Sequence, residues 1–152
     1  MLRYNSLEKE SPKAHNTDEQ TLMSKLETPE SSRQQIVAAI RAVRTLIRWK
    51  PGKDIQHLKT RRDHGHIPKT ATLDDYHDII KSILFDSTAS VYLYRFGVQS
   101  FPTVVTTLDT DTWLVMFGLD GLMETAFIVE WPDQYLNRRE FEFISTLGDL
   151  MK

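Results

Sequence analysis

Three histidines and three cationic side chains stand within ten residues in the run His57-Leu-Lys-Thr-Arg-Arg-Asp-His-Gly-His66. Imidazole exchanges protons near neutral pH, and guanidinium and ammonium groups hold anions. Cleaving a phosphate ester without a metal needs that combination: a base for the attacking hydroxyl, an acid for the leaving oxygen, and cations or donors around the phosphate. His64 and His66 are the candidate acid and base. Gly65 between them permits a tight backbone path, and a segment so poor in apolar residues is expected in an open loop or lining a cleft. Arg61, Arg62 and Lys59 can hold phosphate oxygens. Further along, Arg95 interrupts an apolar, aromatic stretch, which marks either a catalytic cation or an ion pair, with Glu124 the candidate partner. Thr125, Thr106 and Tyr94 can donate hydrogen bonds. His57 is expected to be exposed, and His77 to be a half-buried packing residue.

The His64-x-His66 pair could instead ligate a metal, with Asp63 or Asp78 joining, but zinc takes three or four ligands and two do not make a site. The chain has no HExxH, no P-loop and no strand-borne GxGxxG, so metalloprotease, nucleotide triphosphatase and Rossmann readings lack support. It has no cysteine, which excludes disulfides, thiolate metal sites and a cysteine nucleophile. Serine occurs in no nucleophile-elbow pattern. No cofactor is expected.

At 152 residues and 40% hydrophobic composition the chain can bury one core. Its net charge of -2 hides an asymmetry. From residue 41 to 70 nine Lys and Arg face only Asp54 and Asp63, a net of +7, whereas residues 101 to 134 hold six carboxylates and no cation. A dipolar chain of this kind can offer a basic face to RNA while remaining soluble. The start lacks an apolar signal region and no stretch approaches membrane-spanning length, so no membrane association is expected.

The elements that would hold these residues follow from pattern. Residues 1–30 are polar and read as a tail or linker ahead of one domain over 31–152. Ser31 or Ser32 can cap a helix to about Trp49, with Ile36, Ile40, Val43 and Ile47 on its core face. Arg41, Arg44 and Arg48 form a basic stripe beside that face, a candidate contact for the RNA backbone. Lys50-Pro-Gly-Lys breaks this helix, and Thr72 with Asp74 and Asp75 starts a second, to about Phe85. Strands are expected at Val91–Phe96, Thr103–Leu108, Trp113–Phe117 and Met123–Val129, with a fifth possible at Glu140–Ile144, in an antiparallel meander. The fold class is therefore α+β, two N-terminal helices on one face of a four- to five-stranded antiparallel sheet.

The order of these features, the basic His57–His66 segment, the Thr72–Phe85 helix, the Tyr94-Arg95 strand, Trp113-Leu-Val-Met-Phe117 and Glu124-Thr-Ala-Phe127, resembles the toxin and phage ribonucleases of the barnase, EndoU, colicin and RelE-like group. The resemblance covers residues 57 to 129. It implies metal-independent RNA cleavage on the sheet's open face, with a histidine in the pre-helix loop (His64 or His66), a basic strand residue (Arg95) and a late-strand threonine (Thr125). It also implies RNA, tRNA among the candidates, as substrate, a cognate immunity or antitoxin protein as partner, and action in the cytoplasm, of the producing cell or of a target cell reached by a larger secreted toxin. The alternatives are a non-catalytic immunity or antitoxin protein whose acidic half covers a basic partner, and a metal-dependent hydrolase built on His64 and His66.

Overall fold

The computed structural model describes residues 29–152, so residues 1–28 of the expected N-terminal tail lie outside the described residues, and its last two, Pro29 and Glu30, belong to the first helix. The first helix, α1, spans Pro29–Thr45 and buries Ile36, Ala39, Ile40 and Val43 along one face. It ends four residues before the expected Trp49. The chain there turns extended: Arg48 forms a β-bridge with Leu122, and the Arg48 carbonyl accepts the Met123 N–H at 2.8 Å. That pairing takes the backbone groups that a further helical turn would use.

The basic-His segment differs from expectation, because most of it is helix. The second helix, α2, spans Lys53–Asp63 and carries His57, Lys59, Arg61 and Arg62. Its stability comes from ends and pairs more than from an apolar stripe. Asp54 sits in the first turn, Arg61 and Arg62 sit in the last, and Lys59 pairs with Asp63 one turn on at 2.8 Å. Leu58 is its one buried apolar residue. The third helix, α3, spans Leu73–Leu84 as expected, with Thr72 as N-cap: the Asp75 N–H donates to Thr72 Oγ1 and the Thr72 N–H to Asp75 Oδ2, a reciprocal capping box.

The strands are β1 (Ser90–Phe96), β2 (Gln99–Leu108), β3 (Asp111–Phe117), β4 (Met123–Ile128) and β5 (Phe141–Thr146), with a short helix α4 (Pro132–Leu136) before β5 and another, α5 (Leu147–Leu150), after it. All pairings are antiparallel and the order is β4-β3-β2-β1-β5. The protein is α+β, with the four-strand meander expected from the pattern and a fifth strand on its far side. The chain leaves the sheet at the β4 edge and returns beside β1, and α4 makes that crossing.

Strand residues alternate between two apolar clusters. One joins α1, α2 and α3 to Val91, Leu93, Val104, Trp113, Val115 and Ala126. The other holds Tyr94, Val105, Leu114, Met116 and Phe127 with Tyr135 of α4 and Phe141. Among the described residues no helix is long and apolar enough to cross a membrane.

Candidate active site

Beyond α2 the chain reverses through His64, Gly65 and His66. Gly65 has φ +73, and the N–H groups of Gly65 and His66 donate to the carbonyls of Arg62 and Arg61, both at 3.0 Å. This double return is a Schellman cap, and it needs a residue that tolerates the left-handed conformation. It folds His66 back over Arg61 and sets the two imidazoles 5.9 Å apart between ring centroids.

The two histidines are then fixed differently. His64 is exposed, and its Nδ1–H donates to the Thr60 carbonyl at 2.9 Å. A carbonyl only accepts, so Nδ1 carries the proton and Nε2 is the nitrogen able to take one. His66 is half-buried rather than in an open loop. Its Nδ1 receives the Ile128 backbone N–H at 3.3 Å and the Arg61 Nη1 at 3.4 Å, and its ring meets Trp113 edge-on at 6.3 Å. Both donors require an unprotonated Nδ1, which puts the ring proton on Nε2.

Arg61 is 2% exposed, with its guanidinium carbon 5.5 Å from the Phe127 ring centroid. Arg62 donates through Nε and Nη2 to the Ala71 carbonyl, tying the end of α2 to the approach to α3. Arg62, Asp63, His64, His66 and Lys69 surround an open depression of about 610 Å³. The Asp63 carboxyl is held below its ordinary range, first by its hydrogen bond from Lys59, so the depression keeps a carboxylate already matched to a cation.

The remaining expected site residues lie elsewhere. Arg95 pairs with Glu142 of β5 at 2.7 Å, not with Glu124. It is on β1, three strands from β4, which is about 14 Å at the usual strand spacing. Thr125 is 7% exposed on β4 and lies three residues, about 10 Å of strand, from the Ile128 N–H that His66 receives. Thr106 donates to Asp86 at 2.5 Å. Tyr94 is buried among Phe141, Phe96 and Phe101, with ring centroids 4.7, 6.2 and 6.3 Å away.

The arginines expected as a basic stripe on the first helix have structural work as well, and Arg48 lies beyond the end of that helix at Thr45. Arg44 Nε donates to the Leu84 carbonyl at 2.8 Å and its guanidinium lies 4.5 Å from the Phe85 ring centroid. Arg48 Nη2 donates to the Asp120 carbonyl at 3.1 Å, while Arg41 is exposed. The structure thus brings together His64, His66, Arg61 and Arg62, and adds Lys69. Arg95, Thr125 and Tyr94 do not join them.

Two further contacts have no signature in the sequence. Tyr76 of α3, fully buried, donates its hydroxyl to the Ala126 carbonyl at 2.6 Å, and burial pushes its phenol well above the ordinary range. With the Ile128 N–H on His66, it occupies backbone groups along the outer side of the edge strand β4. The other is Trp49, whose indole N–H donates to His77 Nε2 at 3.0 Å. His77 is therefore the packing residue expected, its proton affinity lowered mainly by burial.

Among the described residues no three His, Cys, Asp or Glu side chains gather as a metal site, so His64 and His66 find no third ligand there. No protein-family model, curated protein or solved structure matches the chain.

Proposed function

We propose that this chain is a metal-independent endoribonuclease of the toxin kind, acting at the loop after α2. The observation that supports this reading is the pair of imidazoles 5.9 Å apart beside an open, cation-bearing depression, with the tautomer of His64 set by the Thr60 carbonyl. His64 Nε2 takes the proton of the RNA 2′-hydroxyl as the 2′-oxygen attacks phosphorus. The 2′-O–P bond forms and the bond to the 5′-oxygen breaks, leaving a 2′,3′-cyclic phosphate. In an open depression the departing 5′-oxygen draws its proton from water. Arg62 and Lys69 neutralise charge at the phosphate, and His66 with Arg61 behind it holds the loop against β4. The substrate would be met in the cytoplasm of the producing or a target cell.

The test is incubation of the purified chain with total RNA, and separately with tRNA, in EDTA. Fragments with cyclic or 3′-phosphate ends are expected, and His64→Ala should lower the rate at least ~100-fold, the usual scale for losing a general base. Intact RNA, equal rates in wild type and His64→Ala, or activity lost in EDTA and restored by zinc would each overturn the proposal.

A further inference from the structure

A second depression, of about 620 Å³, lies between α1 and the residues that follow β5. Its floor is apolar, made by Val37 and Ala38 of α1 and by Leu150 of α5. Its rim is cationic, with Arg33 and Arg41 on α1 and Lys152 after α5. No carboxylate lines it among the described residues, and the nearest in sequence, Asp149, is already matched to Lys152 at 3.5 Å. Arg33 and Arg41 are exposed, and neither guanidinium has a partner among the described residues. They stand eight residues apart on α1, about 12 Å at helical rise, with the apolar floor between them. Arg44, three residues on, adds to the positive field, its own proton affinity lowered first by burial and then by Arg41.

The occupant that suits such a groove has an acid at each end and apolar side chains between. A small anion meets one guanidinium and leaves the other. An RNA strand meets both but leaves the floor bare, and the floor has no ring for a base to stack on. The fitting pattern is present in the chain itself, in Asp18-Glu-Gln-Thr-Leu-Met-Ser-Lys-Leu-Glu27. Glu19 and Glu27 are eight residues apart, as Arg33 and Arg41 are, and Leu22, Met23 and Leu26 lie between them. Asp18, Glu19 and Glu27 outweigh Lys25 for a net charge of -2. Glu27 comes two residues before Pro29, where α1 begins, so a segment returning along α1 brings Glu27 to Arg33 and Glu19 to Arg41. The short connection gives this segment a high effective concentration at the groove. We propose that residues 18–27 occupy the groove on α1 of the same chain, through these two carboxylate–guanidinium pairs and the apolar contacts between them. The proposal does not depend on RNA cleavage, since no residue of the histidine loop takes part.

The chain has no cysteine, so an introduced pair reports the contact without interference. In the full chain, Leu22→Cys is combined either with Ala38→Cys, which the proposed register sets opposite it, or with Val98→Cys in the β1–β2 turn. Ala38 and Val98 are both exposed and tolerate the change. Dilute protein is oxidised and read on non-reducing gels, with thermal melts to establish that each variant is folded. The groove pair should close an intramolecular disulfide at least tenfold faster than the turn pair. Adding Arg33→Glu and Arg41→Glu should slow closure at least fivefold, and adding Glu19→Arg and Glu27→Arg as well should restore at least half of the lost rate. Should the reversed arginines unfold the chain, Arg33→Gln with Arg41→Gln replaces them and the same slowing is expected. Equal rates for the two cysteine pairs would overturn the proposal, as would a rate indifferent to the arginines or a slowing that the reversed glutamates do not rescue. Disulfides found only between two chains would also overturn it, since the occupant would then come from a second copy.

Discussion

Replacing His66 by alanine should cost stability, and the size follows from what its Nδ1 receives. The Ile128 N–H, 3.3 Å away, points outward from the edge strand and has this nitrogen as acceptor, and the nearly buried Arg61 donates to the same atom at 3.4 Å. Stranding a buried donor costs about 1–3 kcal/mol. His66 is half-buried, so water reaches part of the gap and the expectation is about 2 kcal/mol, or roughly 4–8 °C in Tm for a chain of this size. His66→Asn places an amide oxygen near the position of Nδ1 and should recover at least half of the loss. Urea denaturation of wild type, His66→Ala, His66→Asn and His64→Ala measures all four, with His64→Ala expected within about 0.5 kcal/mol of wild type because the side chain is exposed. If His66→Ala melts within 1 °C of wild type, or His66→Asn is no better than the alanine variant, the acceptor role assigned to His66 is wrong.

Removal of the Tyr76 hydroxyl in Tyr76→Phe leaves the Ala126 carbonyl without its donor at a fully buried position, and urea melts should show a loss of about 1–3 kcal/mol. His77 gives a pH dependence whose sign is fixed by its lowered proton affinity in the folded state. Its contribution is complete above the unfolded pKa of about 6.5 and is lost as pH falls through the lower folded value, because protonation of Nε2 breaks the bond from Trp49. Wild type should therefore lose more stability than His77→Asn between pH 7.5 and 5; identical losses would remove His77 from the account. Arg95→Ala breaks an exposed ion pair far from the histidine loop, so it should cost less than about 1 kcal/mol and leave RNA cleavage within twofold of wild type. Lys59→Ala with Lys69→Ala should lower the slope of log K for RNA against log salt by about one to two if these exposed amines meet phosphates, and an unchanged slope would exclude them.

The elements that the sequence made plain are those whose stability is written in side-chain period. The helix beginning at Thr72 announces itself through a capping residue and a wide apolar stripe, and the four meander strands through β-branched and aromatic runs between turn residues. The helix Lys53–Asp63 was hidden because it buries little of its own and depends on charge placement at its ends, which the eye reads as a binding loop. The Gly65 cap is visible only once that helix is known, and it is what joins His64, His66 and Arg61. Arg95 stood out because it interrupts an apolar strand, and strand pattern does not say where the fifth strand lies. Once β5 is seen beside β1, Arg95 belongs with Glu142.

The crossing from one edge of the sheet to the other has a consequence for synthesis. As the chain emerges from the ribosome, β1 acquires β2 at once but its opposite side stays bare until residue 146 is out, since β5 is its partner there. For that interval Tyr92, Tyr94 and Phe96 sit on an open, aromatic strand, the kind of edge that recruits other chains. A premature stop before Phe141 would make the interval permanent. Such a product should be found in inclusion bodies.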